Sequence, residues 1–268
     1  MDTKTFPLDG PINLRGRIGH GSFTVNAREG LTEATVLLAA RHGGSDALES
    51  TVVEMRGPTL VVATPRQDGI FDLGPGGGKR RDAIDITVTV PSGTAVKLST
   101  FTADITVTGR CGSADVASGS SMITLAHVDG ELRLRYGSGT ARVDRVTGSV
   151  QTRSGSGDAH FGEIGGSLTS GCGSGDLEVA AVRGPVRSRA GSGAALLAAV
   201  YGDVDVVSGA GSVAIGLPPG RSARLDVRTG SGRVNSELPV EDAPSSQDAP
   251  ITVRARTGSG DVRLFRAA

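Results

Sequence analysis

Glycine recurs at positions 112, 130, 148, 166, 184, 202 and 220, a constant step of 18 residues, and a second glycine column keeps the same step at 119, 137, 155, 173, 191 and 209. With Gly at 41 of 268 residues, six further hits at a preset spacing arise by chance with odds on the order of 10⁻⁵. A period of this length specifies stacked copies of one supersecondary unit, each burying its apolar side against the next.

Written from residue 119, the repeats are GSSMITLAHVDGELRLRY, GSGTARVDRVTGSVQTRS, GSGDAHFGEIGGSLTSGC, GSGDLEVAAVRGPVRSRA and GSGAALLAAVYGDVDVVS. Apolar columns then line up. Ile123, Ala141, Ala159, Leu177 and Ala195 share one; Leu125, Val143, Phe161, Val179 and Leu197 another; Val128, Val146, Ile164, Val182 and Val200 a third. A second arm aligns Leu132, Val150, Leu168, Val186 and Val204. Spacing by two within an arm is the signature of strands with one face inward. The step of three between the second and third columns predicts a corner near His127, Arg145, Glu163, Ala181 and Ala199.

Equivalent strands of successive repeats then lie parallel, roughly 4.8 Å apart, and parallel crossovers are right-handed in about 98% of cases. The expected fold is all-β, a right-handed parallel β-helix (β-solenoid) with 18-residue rungs and an N-terminal β cap. A left-handed helix of hexapeptides needs an inward residue every six positions, which these columns do not supply. Aromatics at 3% and the absence of Trp suit a thin core of stacked aliphatic layers. Residues 1–83, with the strand-like strings TVLLAA, STVVEM and TLVVATP, are expected to form the cap and irregular strands. Residues 84–268 are expected to form the repeat region, continuous with that cap. The period slips near the C-terminus, where LPPGRSA delays one Gly-Ser-Gly and the surface loop PVEDAPSSQDAP delays the next. ITVRARTGSGDV then re-enters the pattern of RLDVRTGSGRV.

Corner glycines answer two needs, φ > 0 in tight turns and close approach of stacked turns. Asp158, Asp176 and Asp261 are expected to accept hydrogen bonds from turn amides. Calcium needs GGxGxD on consecutive nine-residue turns, and one Asp per 18 residues falls short of the 6 to 8 oxygens that the ion takes. Gly74-Pro75-Gly76-Gly77-Gly78-Lys79-Arg80 is one residue short of a phosphate loop and lacks Ser or Thr after the lysine. His20, His42, His127 and His160 are scattered, with no Cys, Ser or carboxylate partner fixed by the register. No catalytic residue, metal ligand or cofactor is expected. Cys111 and Cys172 occupy different columns and read as free buried thiols or chance occupants rather than a disulfide or half of a metal site. The N-terminus has no secretory apolar run and no stretch is long enough to span a membrane, so the cytoplasm is the expected compartment.

Lys+Arg and Asp+Glu are both 28, so overall charge points to no nucleic-acid specificity. Locally, Arg133, Arg135, Arg153, Arg187 and Arg189 fall on outward positions of one arm and form a candidate face for an anionic ligand. TGSGDV, SGSGDA and GSGDLEV, with the DIxVxVPxGTxVxLxT segment from Asp85 to Thr100, resemble the bacterial DUF4097 family of adhesin-like, beta-strand-repeat proteins. That resemblance covers nearly the whole chain and implies the same fold, no catalytic residues and, for some members, an association with envelope stress. The expected function is a non-enzymatic binding or scaffold module for an unknown protein or an anionic surface. A self-assembling protein that stacks through its open ends is the alternative, and an enzyme on a β-helix scaffold the third reading.

Overall fold

Burial follows the sequence alternation strand by strand, because residues two apart share a face. In the computed structural model, which describes residues 1–41, 48–65, 83–238 and 250–267, the regular elements are strands apart from a helical turn at 48–49. The protein is all-β. Its chain divides into two compact units, Met1–Asp129 and Gly130–Ala268. Gly74 to Arg80, His42 and residues 239–249 of the Pro-rich loop lie outside the described residues.

The first unit holds β1 (Asp2–Pro7), β2 (Asn13–Arg28), β3 (Glu33–Arg41), β4 (Val52–Arg56), β5 (Thr59–Ala63), β6 (Ala83–Pro91), β7 (Ala95–Cys111) and β8 (Ala114–Val128). Here β3 runs antiparallel to both β1 and β6, and β4 antiparallel to β5. The long strand β2 pairs in parallel with β5, β6 and β7, and β7 in parallel with β8. Phe23, Val25, Ile86, Val88, Ile105 and Val107 pack its interior.

The second unit is a double ladder of parallel strands. One arm begins in the first half of β9 (Leu132–Val146) and continues through β10 (Val150–Ser154), β12 (Leu168–Cys172), β14 (Val186–Ala190) and β16 (Val204–Ser208). The other begins in the second half of β9 and continues through β11 (Asp158–Ile164), β13 (Leu177–Val182), β15 (Ala195–Leu197) and β17 (Val213–Leu217). Partners in both arms are 18 residues apart, as in the Asp158–Asp176 hydrogen bond. Every residue of the four predicted columns is buried, from Leu132 at 0% exposure to Ala159 and Leu177 at 4%. The ladder skips Gly162 and Ala180, just before the predicted corner, and resumes at Glu163↔Ala181.

Beyond β17 the stacking order departs from chain order. β18 (Ala223–Thr229) and β19 (Val234–Ser236) do not lie on β16 and β17. The later β20 (Ile251–Thr257) and β21 (Val262–Arg266) do, with Val204↔Val253 and Val213↔Val262 in register. β18 and β19 pair with the far sides of β20 and β21. The last repeat in the sequence is therefore the penultimate one in space. The Gly-Ser-Gly turns repeat this order, since a Cβ on Gly258 would strike the Gly209 carbonyl and one on Gly230 the Gly258 carbonyl.

Two expectations need correction. Gly148 and Gly166 are not among the positive-φ glycines. They are needed for close approach alone, because a Cβ on Gly166 would sit 2.7 Å from the Gly148 carbonyl and one on Gly148 would collide with the Gly130 carbonyl. The turn aspartates also do not serve their own turns. Asp158 Oδ1 accepts from the Asp176 N–H at 2.9 Å, Asp176 Oδ1 from the Ala194 N–H at 2.8 Å and Asp261 Oδ1 from the Arg233 N–H at 2.8 Å. Each carboxylate fastens one repeat to its neighbour where the strand ladder has lapsed.

Candidate functional site

The arm that carries β10, β12, β14 and β16 turns alternate residues outward, and strict register stacks them into two columns. One reads Arg133, Gln151, Thr169, Arg187, Asp205, Arg254, Asp226, and the other Arg135, Arg153, Gly171, Arg189, Val207, Arg256, Arg228. All five arginines predicted for this face lie on it and are exposed. Arg228, Arg254 and Arg256 join them, which sequence reading missed. The signal was the match of ITVRART to RLDVRT, but only the inserted strand order puts Arg254 and Arg256 in line with Arg187 and Arg189.

Acids moderate the face unevenly. Arg133 lies 3.6 Å from Glu131 and Arg187 lies 3.9 Å from Asp205. Asp226 is held by Arg256 at 3.2 Å and Arg228 at 3.1 Å, and the Arg256 hydrogen bond leads in pulling its carboxyl below the ordinary value. These contacts are solvent-exposed and contribute little to stability. A shallow depression of about 430 Å³ lies on the same arm, lined by Thr169, Arg187, Asp203, Asp205, Thr252 and Arg254.

Elsewhere several outward side chains meet a carboxylate in the next repeat. Arg145 meets Glu163 at 2.6 Å, Lys97 meets Asp115 at 3.2 Å, and His160 Nδ1 meets Glu178 Oε2 at 2.9 Å. The last contact corrects the expectation that no histidine has a carboxylate fixed by the register. It is a half-exposed surface contact of an imidazole with a carboxylate, and no nucleophile takes part in it.

Cys111 and Cys172 are both free. Burial pushes the Cys111 thiol up to about 11. Cys172 Sγ accepts from the Gly175 N–H at 2.9 Å, the role that the Ser208 hydroxyl plays for Gly211 and the Thr257 hydroxyl for Gly260. In this column Cys172, Ser208 and Thr257 cap the following turn, whereas Tyr136 and Ala190 occupy the same column without that role. Among the described residues no cluster of three or more His, Cys, Asp or Glu is placed to hold a metal ion, and no helix is long and apolar enough to cross a membrane.

No family model matches the chain, and no curated protein matches it. Solved structures match it in fold. A "putative lipid binding protein" from Parabacteroides distasonis aligns with a TM-score of 0.57 at 12% identity, over 98% of this chain and 96% of that one. A "putative adhesin" from Bacteroides fragilis aligns with a TM-score of 0.50 at 12% identity, over 98% and 96%. Another from Parabacteroides merdae aligns with a TM-score of 0.50 at 13% identity, over 98% and 95%. At these identities the likeness is one of fold.

Proposed function

We propose that this protein is a non-enzymatic binding module of the DUF4097 adhesin-like type. Its second unit is read as a right-handed β-helix whose arginine face engages an anionic partner. The observation that carries the proposal is the column Arg135, Arg153, Gly171, Arg189, Val207, Arg256, Arg228, which holds five guanidinium groups and no carboxylate. Rows of a parallel ladder are roughly 4.8 Å apart, so guanidinium groups stacked in one column repel one another, a repulsion that Asp226 of the neighbouring column moderates at Arg228 and Arg256 and that an anionic partner over the face would relieve further. Opposite-sign pairing elsewhere, as in Arg145–Glu163, shows that the ladder accommodates neutralised columns. The names of the fold neighbours, adhesin and lipid binding, are in keeping with a binding role.

Binding to vesicles of anionic lipid and to a soluble polyanion tests this directly. Both should exceed binding to zwitterionic vesicles at low salt and weaken steeply as ionic strength rises, since screening reaches about 10 Å at 0.1 M. Reversal of Arg133, Arg135, Arg187 and Arg189 to Glu should abolish it without altering the melting temperature. Absence of low-salt binding, or indifference to the reversal, overturns the reading.

A further inference from the structure

Burial along the inward columns of the second unit fails abruptly at one place. Val204 and Val253 are 2% and 0% exposed, but Leu225, the next residue in that column, is 39% exposed. In the other arm Val213 and Val262 are 1% and 0% exposed, and Val234 beside them is 50% exposed. Among the described residues β18 and β19 each pair with one strand only, leaving a main-chain edge along an unfinished apolar column. Unpaired edges of this kind are templates for another strand.

The side chains of β18 specify which strand. Arg224, Asp226 and Arg228 alternate in sign along its outward side, and Leu225 and Val227 occupy the inward side. Two copies of β18 placed antiparallel about a two-fold axis keep inward residues opposite inward residues. A register centred on Asp226 sets Asp226 against Asp226 and Arg224 against Arg228, joining like charges. A register centred on Leu225 sets Leu225 against Leu225 and makes two Arg224–Asp226 pairs. A register centred on Val227 makes two Asp226–Arg228 pairs, which repeat a contact that Asp226 already makes within its own chain at 3.1 Å. In the Leu225-centred register the exposed Arg224 joins Arg228 and Arg256 around the Asp226 carboxylate, and the most exposed inward residue of β18 is closed. β19, with the neutral Asn235 outward and Val234 inward, opposes no like charge to its counterpart.

We propose that this protein forms a two-fold dimer by antiparallel pairing of β18 and β19 with their counterparts in a second copy, in the register that centres on Leu225. The contact is isologous and closes on itself. It differs from the open-ended stacking expected from sequence, in which each end would bind a further copy. It is independent of the arginine face, although it would join two such faces edge to edge.

Sedimentation velocity on the full chain tests the proposal. The mass should rise from monomer to dimer with concentration and go no higher. Leu225→Lys combined with Val234→Lys should leave a monomer whose melting temperature stays near that of the wild type, since both side chains are already exposed. Arg224→Glu sets a carboxylate opposite Asp226 in the Leu225-centred register and should weaken the dimer at least tenfold without touching the apolar columns. A monomer at every concentration up to about 1 mM overturns the proposal. So does a series of masses beyond the dimer, or an Arg224→Glu variant that dimerises as tightly as the wild type.

Discussion

Irregular and stacked turns use glycine for different physical reasons. In Met1–Asp129 the irregular turns hold Gly30, Gly57 and Gly93, which have φ of 72°, 55° and 81° with open space where a side chain would stand, while a Cβ on Gly112, where the 18-residue stacking begins, would meet the Gly93 carbonyl. In Gly130–Ala268 the turns are stacked, and Gly166, Gly184 and Gly202 each place the missing Cβ within 2.6–2.7 Å of the backbone of the repeat before. A glycine that supplies a dihedral is replaceable by a residue that tolerates left-handed backbone. One that supplies room for a neighbouring backbone is not replaceable by any residue with a Cβ.

The largest expected effect is Val143→Asp. Val143 is 2% exposed and lies in register with the buried Phe161, so a carboxylate there is buried against apolar neighbours. Such a change costs on the order of 4 kcal/mol or more. A melting temperature within a degree or two of the wild type would refute the assignment of that column to the core.

Glycine replacement breaks the comparison between the units more directly. Gly148→Val and Gly166→Val should each cost roughly 1–3 kcal/mol or more, because backbone carbonyls cannot swing aside as a flexible side chain can. Asn is the discriminating substitute. Gly30→Asn should stay within about 0.5 kcal/mol of the wild type because Asn enters the left-handed region readily. Gly148→Asn should be nearly as harmful as Gly148→Val. Equal denaturation midpoints for Gly30→Asn and Gly148→Asn would remove the distinction.

The smallest effect concerns the two thiols, one in each unit. Cys111 is fully buried and its thiol is pushed up to about 11, whereas Cys172 is only half-buried. Alkylation of the native protein at pH 8 should therefore consume Cys172 first and reach Cys111 only on unfolding. A raised folded-state value stabilises the fold fully below the unfolded thiol's pKa of about 8.5 and is lost as pH rises towards 11. Cys111→Ala should accordingly flatten part of the fall in melting temperature over that window. An unchanged slope would show that burial of this thiol is not felt in folding.

The core of the second unit was legible because its register is periodic. Once 18 is known, Val143, Phe161, Val179 and Leu197 fall into one column with no further knowledge, and all are buried. The arginine face was half legible for the same reason. Arg133, Arg135, Arg153, Arg187 and Arg189 obey the period, whereas Arg254 and Arg256 arrive from 49 residues beyond Asp205 and Val207, a separation that no multiple of 18 supplies. The first unit was the least legible. β2 pairs with β7 at a separation of 82 residues, across segments with no repeat to fix the offset. Alternation located its strands but carried no information about their partners. The reach of Asp158, Asp176 and Asp261 into a neighbouring repeat was equally hidden, since local turn chemistry predicts the same residue types.

The inserted strands also set an order of assembly. β18 and β19 are synthesised before β20 and β21, the strands on which they rest. A nascent chain that has delivered residues up to Ser236 has no neighbour ready for β18 in its final place, and the sides of β16 and β17 that await β20 and β21 are bare. The second unit therefore cannot be completed in chain order, and β18 and β19 must wait for β20 and β21 to slot in beside β16 and β17. A stalled or clipped chain that ends before Ile251 loses two layers rather than one, and leaves apolar edges open to aggregation or to chaperone capture.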